Sequence, residues 1–268
     1  MAEERKKANP DEELIQDITV ALDYTLEDFA EKMADFEKLT SQNEITFDLL
    51  WALISPLTYV YYYHGLTEQP QVLQTRSFSV GRRDDGSIGA FIACNVIHDN
   101  GSTFGLANVP LEISAFEGTR NIQDLPVFPL KFHKDKDRIR ESCLMRGKRF
   151  AAMVKPGCYE CSGPSVRERI SSGKTGSSIF FVSNGECCGS DRADVLLTQT
   201  RGRVMIDPVA FRIFEPNCSL NLIITETLDR CKLTDDQYMI CSPILLGFSL
   251  GSKIWGRYDF VPREPVTD

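Results

Sequence analysis

Apolar residues recur at spacings of three and four along the first part of the chain: Ile15, Ile18, Leu22, Leu26, Phe29, Met33 and Phe36, with charges between them. This spacing predicts a helix over residues 11–39. Pro10 and Asp11 suit its start and Ser41-Gln42-Asn43 its end, while Thr25 offers a second cap that would split it in two. Residues 47–54 read as a short apolar helix stopped by Ser55-Pro56, because the residue before a proline is pushed out of the helical region. The period then changes. Residues 73–81, 88–97 and 103–116 are β-rich runs, separated by turns that contain Asp85-Gly86 and Asn100-Gly101. Both dipeptides tolerate the positive φ that tight hairpins require, so a β-meander is expected here.

Helical spacing returns at 137–154, where Ile139, Cys143, Phe150 and Val154 share a face with Arg146 at its margin. Gly147 costs this helix about 1 kcal/mol relative to alanine and marks either a kink or a close approach. Residues 156–176 are rich in Gly, Ser and Pro and read as a long loop. Strands are expected at 179–182, 194–199, 203–206 and 220–226, a helical turn or strand entry at 208–214, a Thr-capped short helix at 234–241, and closing strands over 244–260. Strands and helices mix without a βαβ rhythm. The fold class is therefore α+β, with a mostly antiparallel β-sheet or a partly closed barrel, an N-terminal helical segment and one central helix. The expected organisation is an acidic helical segment at 1–45 and a single α+β domain at 46–268.

Charge sharpens that division. Residues 1–48 hold 14 acidic and 5 basic side chains, a balance of −9; the other 220 hold 24 and 25, a balance of +1. The acidity reads as a solvated helix face plus a polar tail, with an acidic arm that docks on a basic partner or on the chain's own basic stretch as the alternative. The seam at 15–36 is expected to pack on the domain, or else to meet a protein partner. A basic stretch at 131–155 carries nine Lys or Arg against Asp135, Asp137 and Glu141. Its aromatics, Phe132 and Phe150, suit a core, and the sequence pI of about 5.1 argues against a nucleic-acid partner. No apolar run approaches the ~20 residues that span a bilayer, so no membrane segment is expected. The polar N-terminus and the nine cysteines without a repeating framework predict an unsecreted chain with free thiols, in the cytoplasm or nucleus.

Several segments invite a chemical reading. Ser172-Gly173-Lys174-Thr175-Gly176 has the look of a phosphate loop, but Glu168 stands where the first glycine must be, and no strand is expected before it. No nucleotide or other cofactor is therefore expected. Cys158, Cys161, Cys187 and Cys188 form an alternative metal set: Cys158 and Cys161 have half-site spacing, whereas adjacent Cys187 and Cys188 do not. His64 and His98-Asp99 read as solvated polar residues. The candidate site residues are His133, in the segment 129–133 (PLKFH), Arg146, in 146–150 (RGKRF), and Asp207, in the RVMID run. An Arg–Asp link joining helix to sheet is the competing, structural expectation for the last two.

Together with 201–217 (RGRVMIDPVAFRIFEPN) and 241–260 (CSPILLGFSLGSKIWGRYDF), the segments 129–133 and 146–150 resemble an uncharacterised domain of filamentous fungi that sits in front of an AAA-type ATPase core. The resemblance covers roughly 47–260, and the chain ends at Asp268, where the ATPase would begin. It implies a binding or regulatory module without ATP hydrolysis, since the region before such motors recognises substrates or adaptors. A detached domain in secondary metabolism, folding a small hydrophobic ligand for cyclisation or isomerisation, is the alternative. Such catalysis needs a large apolar pocket with a few convergent polar groups.

Overall fold

The computed structural model describes residues 11–64, 69–83, 85–153, 156–168, 195–215, 222–259 and 263–265. The fold is α+β, with antiparallel pairing between all its named strands. The N-terminal seam forms two helices, α1 (Glu12–Asp28) and α2 (Ala30–Ser41). The break falls at Phe29, four residues beyond Thr25. Asp11 starts α1 as expected, its Oδ1 accepting from the Leu14 N–H at 3.0 Å. Phe36 and Leu39 of α2 lie against a buried cluster that begins with β1 (Glu44–Thr46) and α3 (Leu50–Leu53).

That cluster covers one face of a six-stranded sheet. Its members are β2 (Tyr59–His64), β3 (Gln69–Arg82), β4 (Ile88–Asp99), β5 (Phe104–Ser114), β7 (Val127–Pro129) and β10 (Ile224–Thr227), in the order β10-β5-β4-β3-β2-β7. A separate short strand, β6 (Thr119–Asn121), pairs with β1. Alternation decides the faces: Val60, Leu73, Ile92, Val96, Val109 and Leu111 enter the first core, while Val72, Ile97 and Phe104 point the other way. The second face packs against α4 (Lys136–Ala152), α6 (Asp235–Met239) and a five-stranded sheet. This sheet contains β8 (Gly157–Glu168), β9 (Val195–Ile206), β11 (Ile244–Ser249), β12 (Ile254–Asp259) and β13 (Arg263–Pro265), ordered β12-β11-β9-β8-β13. β12 also touches β8 through Arg257↔Val166 and Tyr258↔Ser165. The sheet therefore curls back on itself without becoming a continuous closed barrel.

Two glycines fix how these layers meet. Gly101 sits in the Asn-Gly turn at φ +84°, and a Cβ there would lie 2.0 Å from the Pro208 carbonyl oxygen. A Cβ at Gly147 would lie 1.8 Å from the Tyr238 carbonyl oxygen. The central helix is therefore close-packed at its glycine, the second of the two readings its sequence allowed. Pro208 itself opens α5 (Pro208–Phe214), and α6 opens with a capping box between Thr234 and Gln237.

The structure corrects two expectations. Residues 157–168 are not loop but strand β8, paired with β9 from Gly157↔Ile206 to Glu168↔Val195. Main-chain pairing holds this strand, and its Gly/Ser/Pro content concealed it. The runs at 194–199 and 203–206 join into the single strand β9; strand β2, over the aromatic run Tyr59 to Tyr63, has no counterpart among the expected elements. The expected strand at 179–182 and the segment 172–176 lie outside the described residues. Among the described residues no helix is long and apolar enough to cross a membrane.

Candidate functional site

The sheet opens where β3 and β4 part. Their pairing begins at Gln74↔Asn95, and beyond it Ile97 bridges instead to Cys241. Ile97 donates to the Ile240 carbonyl at 3.0 Å and accepts from Ser242 N–H at 2.8 Å. The carbonyl of Pro70, at the open end of β3, would be buried without a sheet partner. Arg146 supplies one: Nη1 donates to Pro70 O at 2.9 Å and to Gln69 Oε1 at 3.1 Å. Its Nη2 lies 3.4 Å from Cys143 Sγ, which itself faces Pro70 O at 3.7 Å. Arg146 is only 8 % exposed, and no carboxylate forms an ion pair with it among the described residues. Burial raises the Cys143 thiol pKa against the opposing pull of the Arg146 charge. Cys241 is pushed up to about 12 by burial, again opposed by Arg146 and by Arg230. Both thiols therefore stay protonated near neutrality.

The other two candidates lie elsewhere. Asp207 caps α5, its Oδ1 accepting from Ala210 N–H at 2.9 Å. His133 Nδ1 accepts from Asp135 N–H at 3.0 Å, and its ring lies 4.6 Å from Tyr61 and stacks on Phe128 at 6.0 Å. The expected Arg–Asp link does not form, because Arg146 turns to the β3 edge and Asp207 to its own helix. Cys158 and Cys161, three apart on strand β8, point to opposite faces, Cys161 into the second core. One ion cannot be chelated by both from a regular strand. Cys187 and Cys188 lie outside the described residues, and among the described ones no group of three His, Cys, Asp or Glu could hold a metal.

His64 and His98 are not solvated: each is 1 % exposed. β2 carries Val60, Tyr62 and His64 inward in alternation, and β4 runs on through His98 rather than ending before it. The sequence also did not disclose the Asp99–Arg230 ion pair. Arg230 lies over the Phe104 ring at 4.2 Å and donates to Met153 O at 3.3 Å. The pair edges a crevice between α4, β9 and β11 whose free volume is about 10 Å³, room for one water. None of His133, Arg146 and Asp207 lines it. No residue spacing connects Asp99 to Arg230, so only the folded chain brings them together.

Two exposed apolar surfaces stand out among the described residues. Along α1, Leu14 and Leu22 stand out at 44 % and 46 % exposure, and no described side chain of the helix is buried. Its charges are Glu12, Glu13, Asp17, Asp23, Glu27 and Asp28, with no base. On the outer face of the second sheet, Trp255 stacks on Phe214 at 5.5 Å and tilts against Phe248 at 5.1 Å. Met205 pairs across to Phe248, so all of these belong to one apolar patch.

Residues 35–134 match a domain-of-unknown-function family, DUF7025. The match runs from α2 through β7 and takes in His133, so it holds most of the first core and stops before α4. No curated protein and no solved structure matches the chain.

Proposed function

We propose that this chain is a non-catalytic binding or regulatory module of the kind that precedes a fungal AAA-type ATPase core, acting in the cytoplasm or nucleus, with α1 as its recognition element. The observation that carries the reading is α1 itself. It is a 17-residue helix with an aliphatic stripe and six acidic side chains that buries no described side chain on its own domain. A helix-in-groove contact reads such a stripe through its i, i+4 and i+8 positions, here Leu14, Ile18 and Leu22. The polar candidates support the same view, since each is committed to the scaffold: Arg146 to the β3 edge, Asp207 to α5 and His133 to the turn before α4. The Asp99–Arg230 crevice has room for one water, so it is not itself the chamber that the cyclase or isomerase alternative needs.

The test is partner capture with the wild-type chain and an Ile18→Asp/Leu22→Asp variant, followed by calorimetry on the purified partner. The variant is expected to bind at least tenfold more weakly. Equal affinity would remove α1 as the recognition element, and tight magnesium-dependent ATP binding by the isolated chain would remove the module reading altogether.

A further inference from the structure

The stripe on α1 and the patch on the second sheet are complementary in two respects at once. Each is apolar at its centre. Ile213 and Phe214 of α5 are 68 % and 66 % exposed, and Met205 and Val209 extend the same surface. The charges around them are opposite. Arg201 and Arg203 alternate with Met205 on the exposed face of β9, Arg212 is exposed on α5, and Lys253 tips the β11–β12 turn. Two acids lie among them, Glu160 opposite Arg203 on β8 and Glu215 at the end of α5, so the bases around the patch outnumber the acids. The α1 surface has six acids and no base.

Neither surface suits a copy of itself. Two α1 helices laid stripe to stripe would bring together rows of carboxylates, and two patches would bring together arginines; both arrangements are repulsive. Each does suit the other. We infer that α1 of one copy docks on the Met205–Phe214–Phe248–Trp255 patch of a second copy. Two such contacts close a reciprocal dimer, with the same helix-on-patch contact made twice about a two-fold axis. The inference rests on the reading of α1 as the recognition element and names the surface that it recognises.

Light scattering behind size exclusion, on the full chain over a hundredfold concentration range at low and high salt, tests this. The expected result is a mass that doubles with concentration, with a dissociation constant that rises at least tenfold at high salt. Leu22→Asp and Phe214→Asp should each leave a monomer. Both positions are exposed, so unchanged circular dichroism and melting separate lost docking from lost folding. Arg201→Glu/Arg203→Glu should also dissociate the dimer, and adding Glu13→Lys/Asp17→Lys should restore it.

A monomer at every concentration overturns the inference, whether α1 then folds back on its own patch, engages a different protein or leaves the patch free for anionic vesicles. So does a dimer indifferent to both Leu22→Asp and Phe214→Asp. If the wild type is monomeric while Ile18→Asp/Leu22→Asp still loses a captured partner, the self-docking fails and the recognition role of α1 stands.

Discussion

α1 and α4 are both 17 residues long, and their fates are opposite. α1 has the cleaner stripe, aliphatic on one side and acidic on the other, yet none of its described side chains is fully buried. α4 has a poorer stripe, broken by Arg146 and Gly147, yet both of these are buried along with Ile139, Cys143, Phe150 and Ala151. The difference teaches that periodicity declares a helix's willingness to dock but not its place. Docking is decided by the opposite surface. For α4 that surface has a carbonyl needing a donor, met by a guanidinium, and a turn of α6 so near that only a residue without a Cβ fits. The residues that weaken α4 as an isolated helix are those that fit it to the fold.

The sharpest way to break this comparison is at Gly147. A Cβ there meets the Tyr238 carbonyl oxygen at 1.8 Å, so α6 must move or α4 must bend. Gly147→Ala raises helix propensity by about 1 kcal/mol, yet the expected net effect is a loss of about 3 kcal/mol from forced repacking. Urea denaturation measures it, and a stabilised variant would show that the α4–α6 contact is not fixed as described.

A smaller effect comes from the thiol beside this helix. Cys241 is buried with a pKa of about 12, against 9.0 for an ordinary cysteine. Above pH 9 the unfolded chain releases this proton while the folded chain keeps it. Stability therefore falls as pH rises from 9 towards 12, and is unaffected below 9. Between pH 8 and 10 the loss attributable to Cys241 should be about 1 kcal/mol. Cys241→Ala should flatten the slope of stability against pH by that amount; an unchanged slope would mean that the thiol is reached by solvent.

How far the fold could be read from the residues follows the same physics. The β3–β4–β5 meander was legible because its turns carry Asp-Gly and Asn-Gly between runs of alternating burial. The short helix α6 was legible through the Thr234 cap, whereas 208–214 allowed a helical turn or a strand entry and forms the helix α5. Strand β8 was not, since a ladder of main-chain hydrogen bonds leaves no mark on a sequence of Gly, Ser and Pro. The site was the least legible part. Arg146 was singled out, but its partner is a main-chain carbonyl, which has no side-chain signature. His64 and His98 looked polar because they stand beside turns, and alternation along β2 and β4 carries them inward all the same. Asp99 and Arg230 are 131 residues apart and meet only because β4 and the segment before α6 converge.

The mildest perturbation bears on α1. Removing most of the Leu22 side chain takes little from a core, because that side chain is 46 % exposed and no described side chain of α1 is fully buried. Leu22→Ala even favours the helix slightly, alanine being the better helix former. At concentrations low enough to keep the chain monomeric, the expected change in stability is within about 0.5 kcal/mol, the range of exposed substitutions. The equivalent deletion on α4, Phe150→Ala, removes a side chain of the second core and belongs to a class that costs about 3–5 kcal/mol. A melting experiment on the two variants side by side measures the contrast between the helices directly. If Leu22→Ala were as damaging as Phe150→Ala at high dilution, α1 would have to be packed within its own copy, and the acidic stripe would be part of a core rather than a surface held out for another molecule.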